Sequence, residues 1–500
     1  MYPAISKYLL PIFAALALLT AACGQQEGTT EADALFSVVD TNFHTTELII
    51  PKGGYEYKVL FQAGDPVLAP NGSLAPAKGR HDYLAFLPIK GNPAHGLLWC
   101  NHEALEANAV LGDGGGATVL EVFRDSVEGW KVIGNPQAVD FSPVGGTIAN
   151  CLGAVTPWGT VMTSEEFEPM RNLDFFKNPE KPMLTDTSAV LLPDSGGRTI
   201  PRWMNSGWMV EADPHEGKAL RKLYAMGRMM HEGNYCMPDR KTVYLMDDNG
   251  PAAFFKFISD KAGDYSAGQL YAFQLGDSGR SNAWLPLPRS IDSLAFARDM
   301  AFKRGASIFI RFEDIEMDSR GLFYITETGK DSVSLARAIA LGGRMAPWLE
   351  GYHVGEGQYD DPNGRILTFN PKTNELKVFL EGGQAEKDKS IHFSNPDNMA
   401  LDPDRNLLII HEDINGEDKG RLPENATHWI NEIYVLDLGV ASPSLDDLKR
   451  LAIGPHGAET TGGVWNSDHS ALFFNIQHPS EDNPEPFNRA STIVLSGWPD

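Results

Sequence analysis

The chain has 500 residues, a formal charge of −24 and 42% hydrophobic residues, enough to bury a large core. The acidic balance argues against nucleic acid as a partner, because a phosphate backbone would be repelled. With 49 glycines and 33 prolines the chain is rich in turn formers, and a single all-β propeller reaches this length.

At the N-terminus, Lys7 precedes an apolar run over residues 8–19 that ends in small residues before Cys23. A run this short predicts an export signal over 1–23 and not a membrane span. It resembles a bacterial lipoprotein signal with Cys23 as the lipidated residue, although Thr20 stands where Leu is usual. Gly24 resembles sorting to the outer membrane, which places the protein on its periplasmic face. Residues 24–40 predict a flexible tether and residues 41–500 a single catalytic domain. Cys100, Cys151 and Cys236 remain, an odd number in an exported chain. They allow one disulfide with a free buried thiol, or a metal-bound thiolate.

Predicted hairpins follow along the chain. Residues 150–166 turn at Pro157-Trp158-Gly159 and close on Glu165 and Glu166, with a short helix predicted over 165–178. Residues 235–249 turn at Asp239 and end on Asp247 and Asp248. Residues 313–328 turn at Asp318–Gly321 between Glu313 and Glu327, and a second helix is predicted over 331–342. Residues 393–413 turn at Asp402–Arg405, with Asp397 before the first strand and Glu412 and Asp413 after the second. Residues 463–478 are a looser copy. Repeated strand–turn–strand units predict an all-β propeller, and the long intervals between turns mean either that its blades are enlarged, with six expected, or that weaker blades lie between them.

The two ends of a hairpin opposite its turn lie side by side. Several blades would therefore present carboxylates on one face near the axis, an arrangement that repels itself unless a cation sits within it. Carboxylates and carbonyls suit calcium, whereas a thiolate suits a transition metal. Cys151 opens the hairpin that Glu165 and Glu166 close, which brings a sulfur to the acidic face. In each of the pairs Asp247-Asp248 and Glu412-Asp413, one member is expected to be a solvated strand end, since adjacent residues point opposite ways.

Eight motifs in order, from Asn101-His102-Glu103 through NCLGAVTPWGTVMTSEE, MMHEGNY, LMDDN, RFEDIE, NPDNMALDPD and GAETTGG to STIVLSGWP, resemble the PhoX-type bacterial alkaline phosphatases. The likeness covers roughly residues 95–500. It implies a propeller that holds calcium and iron (Ca2+ and Fe3+) and releases phosphate from small organic esters by attack of a metal-held oxygen. Carried over by position, Cys151, Glu232, Glu313 and Asp397 match iron-side ligands. Glu165, Glu166, Asp247, Asp248 and Glu459 match positions around calcium, while Arg311 and Asn101 match groups that contact phosphate. The chain departs from the family in lacking the arginine pair of a folded-export signal, so its metals are expected to load after export.

Other motifs carry less. LGDGGGATV at 111–119 lacks the Lys and Ser/Thr ending of a phosphate loop, and TDTSA at 185–189 has no metal-ligand pattern beside it. His231 is expected to be a hydrogen-bonded structural residue. The tryptophans Trp158, Trp203, Trp208 and Trp465 are expected to pack between blades. Two alternatives stay open: a calcium-dependent propeller hydrolase of lactones or phosphotriesters, and a non-catalytic propeller that calcium rigidifies. A monomer is expected, reaching the membrane only through the lipid at Cys23.

Overall fold

A computed structural model describes residues 45–193, 196–277, 279–415, 420–422 and 429–498. The expected signal over 1–23, with Cys23, and the tether over 24–40 lie outside the described residues. Six sheets of four or more strands follow one another along the chain. Each contains an inner hairpin. The inner strands are His81–Pro88, Asn150–Val155, His231–Cys236, Phe312–Met317, Pro396–Asp402 and Glu459–Trp465. Their partners are His95–His102, Val161–Glu165, Thr242–Asp247, Phe323–Glu327, Leu407–Glu412 and Ala471–Gln477. Every inner strand packs beside that of the next blade, and the sixth packs beside the first, so the ring closes as a six-bladed propeller. Glu56–Gln62 completes the sixth blade by pairing antiparallel with Ser491–Ser496.

The turns explain why the hairpins form where they do. Asp239 Oδ1 accepts the N–H groups of Lys241 and Thr242 at 2.8 Å, and Asp318 Oδ1 accepts those of Arg320 and Leu322 at 2.9 and 3.0 Å. Asp402 Oδ1 does the same for Asp404 and Arg405 at 3.1 Å. An aspartate that bonds its own backbone fixes the reversal, and apolar residues on either side supply the strands. Strands covered on both faces are apolar throughout, as at Leu407–Ile410, where all four residues are fully buried. Between the third and fourth blades the core is aromatic, with Phe254, Phe273, Trp284 and Phe369 meeting at ring-centroid distances of 4.9–6.0 Å.

Within the predicted helical stretches, Asn172–Phe176 forms a 3-10 turn and Ala336–Leu341 an α-helix. The helices Ile291–Leu294 and Ala297–Lys303, between the third and fourth blades, were not foreseen. Trp208 is fully buried and Trp465 packs on Trp498. His231 Nε2 meets the Gly227 carbonyl at 2.8 Å, a structural bond. Cys100, Cys151 and Cys236 are all buried and unbonded, so the structure has no disulfide among them. No helix of the described residues is long and apolar enough to cross a membrane.

Candidate metal centre

Every inner hairpin carries the same irregularity, with two residues of the inner strand opposite one of its partner. The bulges lie between His81 and Leu84, Asn150 and Gly153, and His231 and Asn234. Those of the other three blades lie between Phe312 and Ile315, Pro396 and Met399, and Thr461 and Val464. A bulge re-aims the side chain after the last regular pair. In five blades that residue is Asp82, Cys151, Glu232, Glu313 or Asp397, and all five line one cavity of about 270 Å³. The sixth blade has Gly462 at this point and sends Glu459 to the cavity from the start of its strand.

The residue just past each partner strand supplies a second tier. Glu103, Glu166, Asp248, Asp413 and His478 line the cavity, whereas the fourth blade has Thr328, whose hydroxyl donates to the Pro396 carbonyl at 2.6 Å. In five blades the backbone closes alike. The N–H groups of Glu103, Glu166, Asp248, Thr328 and Asp413 donate to the carbonyls of Arg80, Ala149, Met230, Arg311 and Asn395 at 2.8–2.9 Å. Four of those acceptors, Arg80, Ala149, Arg311 and Asn395, are left-handed, with φ of 49°, 45°, 54° and 49°.

The last partner-strand residue points the other way. Glu165 bonds Lys222 at 2.8 Å, Asp247 bonds Arg298 at 2.6 Å, Glu327 bonds Arg365 at 2.6 Å and Glu412 bonds Arg421 at 2.5 Å. Each also accepts a backbone N–H: Trp208, Ala253, Ile310 and Ser394 donate at 3.0–3.1 Å. Glu165 and Asp247 were expected around calcium, but they stand behind the cavity wall with their oxygens engaged by buried cations. Nor is either member of Asp247-Asp248 or Glu412-Asp413 a solvated strand end, since all four are buried.

Asn101 is likewise not on the cavity wall. Its side-chain amide donates to the carbonyls of Cys151 and Leu152, and its oxygen accepts Trp99 Nε1–H at 2.7 Å. It belongs to a set of bonds that runs from blade to blade under the cavity. Asn475 donates to the Asp82 carbonyl, Ser164 to that of Glu232, and Asn398 accepts the Gly462 N–H at 2.6 Å. Bulges leave backbone groups unpaired within the sheet, and these side chains satisfy them.

Nine carboxylates, the Cys151 thiol and three cationic side chains (Arg80, Arg311 and Lys330) share the cavity. Arg311 is anchored by three carboxylates: Nε bonds Asp248 at 2.9 Å, and Nη2 meets Glu313 at 2.5 Å and Asp413 at 3.0 Å. Burial, reinforced by neighbouring carboxylates, pushes Glu166, Glu232 and Glu459 well above the usual carboxylate range. Burial does the same to Glu313 and Asp397. It also lifts the Cys151 thiol, with Glu166 and Glu232 adding to the effect. Asp248 is the exception, because although burial opposes its ionisation, the Arg311 guanidinium brings its pKa below the ordinary value.

These residues fit bound cations. Asp82, Glu103 and Cys151 form one group, and Cys151, Glu166 and Glu232 another, in each of which the ligand atoms lie within 4.8 Å of one another. Asp413 Oδ1 is buried and accepts no hydrogen bond. A wall this acidic and this buried is stable in its ionised form only with positive charge at its centre, and its mix of hard oxygens with one sulfur accommodates both hard and softer ions.

Sequence reasoning missed Asp82, Glu103, Arg80, Lys330, Asn415 and His478 as wall residues. The signal for the first two was present, because His81-Asp82 and His102-Glu103 bracket a hairpin just as Asn150-Cys151 and Glu165-Glu166 do. Of the residues expected at the site, Cys151, Glu166, Glu232, Asp248, Arg311, Glu313, Asp397 and Glu459 are brought together, and Asn101, Glu165 and Asp247 are not.

A comparison with curated proteins gives no match. Among solved structures, Pseudomonas fluorescens PhoX in complex with vanadate, a transition state analogue, is similar in fold. It has 20% identity and a TM-score of 0.65 over 92% of this chain and 98% of that one. A putative 6-phosphogluconolactonase from Bacteroides fragilis matches at 11% identity and a TM-score of 0.33, over 81% of this chain and 83% of that one. Virginiamycin B lyase from Staphylococcus aureus matches at 8% identity and a TM-score of 0.36, over 88% and 99%. The family model for alkaline phosphatase PhoX matches residues 36–128 and 123–480. Because those segments run through all six blades, the chain belongs to the alkaline phosphatase PhoX family and is a metal-dependent phosphomonoesterase.

Proposed function

We propose that this cavity hydrolyses small phosphate monoesters with calcium and iron as its ions. The observation that carries the reading is the position of Cys151, a thiol set by the same bulge that aims Asp82, Glu232, Glu313 and Asp397 at the axis. Cys151, Glu232, Glu313 and Asp397 would hold the iron side. Glu166, Asp248 and Glu459 would hold calcium, with Asp82, Glu103 and Asp413 within the same wall. When bound, the ions supply Lewis acidity to the phosphoryl oxygens and lower the pKa of an attacking water.

The chain's own residues do the rest. Arg311 is held in one orientation by three carboxylates, so its fork is preorganised for non-bridging phosphoryl oxygens and the charge that grows on them. Asn101 acts from below by bracing the Cys151 carbonyl rather than by touching phosphate. Among the described residues no serine or threonine lines the cavity, and Ser188 of the TDTSA stretch is exposed and bonded to Asp186. The nucleophile in this reading is water, with the wall's thiol and carboxylates committed to the ions. We further propose an exported, lipid-tethered monomer that scavenges phosphate outside the cytoplasm.

The deciding experiment is elemental analysis of the purified protein alongside a phosphomonoesterase assay before and after chelation. Calcium and iron together, with activity lost on chelation, support the reading. Calcium alone with no phosphatase activity overturns it.

A further inference from the structure

Two arginines of the cavity wall are related by the architecture. Arg80 and Arg311 each stand directly before the first inner-strand pair of their blades, His81 with His102 and Phe312 with Glu327. Both are left-handed, with φ of 49° and 54°, and both carbonyls accept the N–H of the residue past the partner strand at 2.9 Å. Ala149 and Asn395 take the same left-handed conformation in their blades, so it belongs to the blade design, and what Arg80 and Arg311 share beyond it is a guanidinium on the cavity wall. The first and fourth blades lie three steps apart in either direction round the ring, and the two arginines therefore approach the cavity from opposite sides.

Their surroundings differ. Arg311 is buried and bonded to three carboxylates, whereas the Arg80 side chain is 40% exposed and reaches Glu103 at 3.4 Å. An exposed ion pair that long contributes little to stability. What Arg80 does provide is a guanidinium at the rim of an otherwise acidic wall, opposite the arginine that orients the phosphoryl group. A substrate whose phosphoryl oxygens met Arg311 would have the first-blade side of the cavity, where Arg80 stands, open to its alcohol half.

We propose that Arg80 forms an anion subsite for the alcohol half of the substrate, binding a carboxylate or second phosphate carried by the leaving group. The proposal rests on the phosphomonoesterase reading above. It involves binding only, and the alcohol leaves with its anionic group unchanged.

The test uses the metal-loaded enzyme with two esters of similar size, p-nitrophenyl phosphate and 4-carboxyphenyl phosphate. Arg80→Ala is expected to lower kcat/KM for the carboxylated ester about tenfold more than for the nitrophenyl ester, with the difference carried mainly by KM. Arg80→Lys is expected to recover part of the loss, since lysine restores the charge but not the fork. Metal content should match wild type in both variants. Equal losses on the two esters would place Arg80 at the phosphoryl group or at Glu103 and overturn the subsite, as would no loss on either. Wild-type enzyme that cleaves neither ester would overturn the phosphatase reading itself, and the subsite with it.

Discussion

The Cys151 thiol lies 3.0 Å from Glu166 Oε2 across the open end of the second blade's hairpin. The thiol donates to that carboxyl oxygen, and a cation bound between the two would favour loss of both protons to solvent. Cys151→Ala is expected to lower phosphatase kcat/KM by about 100-fold or more while the propeller stays folded. Elemental analysis of the variant should show iron falling and calcium retained. Unchanged iron with an unchanged rate would remove the thiol from the centre.

Arg311 gives a second expectation. Arg311→Ala should cost on the order of 100-fold in kcat, with Arg311→Lys rescuing little, because a point charge cannot replace a fork held by Asp248, Glu313 and Asp413. Steady-state kinetics on both variants decide this, and a full rescue by lysine would mean that only charge matters there.

The raised carboxyl groups make stability depend on pH once the ions are gone. Glu166, Glu232, Glu313, Asp397 and Glu459 all hold protons more tightly in the folded chain than in the unfolded one. Above the unfolded pKa of about 4, the folded state therefore binds more protons. Stability falls as pH rises towards the folded values, by up to about 1.4 kcal/mol per pH unit per group. The Tm of chelated protein should drop steadily between about pH 5 and pH 8, and added calcium should flatten the slope. A chelated protein equally stable at both ends would show that these groups are not ionised against one another.

Gly462 marks where the sixth blade departs from the other five. A Cβ there would sit 2.4 Å from the Asp82 carbonyl oxygen, at a φ of +67°. Gly462→Ala should cost about 2 kcal/mol or more and reduce activity by displacing Asp82. Gly321→Ala provides the contrast, with a φ of +80° but open space around the new methyl, and should cost about 1 kcal/mol without touching the rate. Denaturant midpoints for the two variants, measured side by side, separate steric displacement from backbone strain.

Behind the wall, Arg298 compensates both Asp247 and Glu168, at 2.6 and 2.9 Å. Arg298→Met should destabilise by about 3–5 kcal/mol, because it strands a fully buried carboxylate. Unfolding of Arg298→Met against Arg298→Met/Asp247→Asn checks the origin of the loss, since the double variant should recover much of it.

The parts of this site that were legible in the sequence are those set by local chemistry. Asp239, Asp318 and Asp402 announce their hairpins because each bonds its own backbone within four residues. The first blade turns instead through Ile89–Gly91 with a left-handed Lys90, so its hairpin went unseen and Asp82 and Glu103 with it. Choosing between neighbours such as Glu165 and Glu166 depends on which side of the strand faces the axis. The partners that settle it, Lys222 and Arg298, lie 57 and 51 residues away in the chain. Asn101 was placed at the phosphate for a similar reason, since its true contact is the backbone of another blade.

The sixth blade joins the strand Glu56–Gln62 to Ser491–Ser496, near opposite ends of the chain. Glu459 and His478 stand in that blade and form one side of the cavity. Neither strand, Glu56–Gln62 or Ser491–Ser496, lines the cavity, so the two support that side of the wall from outside. The chain itself crosses from the sixth blade to the first between Gln62 and Pro66, and cations held at the axis would tie the same two blades a second time. Filling the centre is in this sense a test of assembly, because ions at the axis would bridge the first and sixth blades only where both have taken their places in the ring.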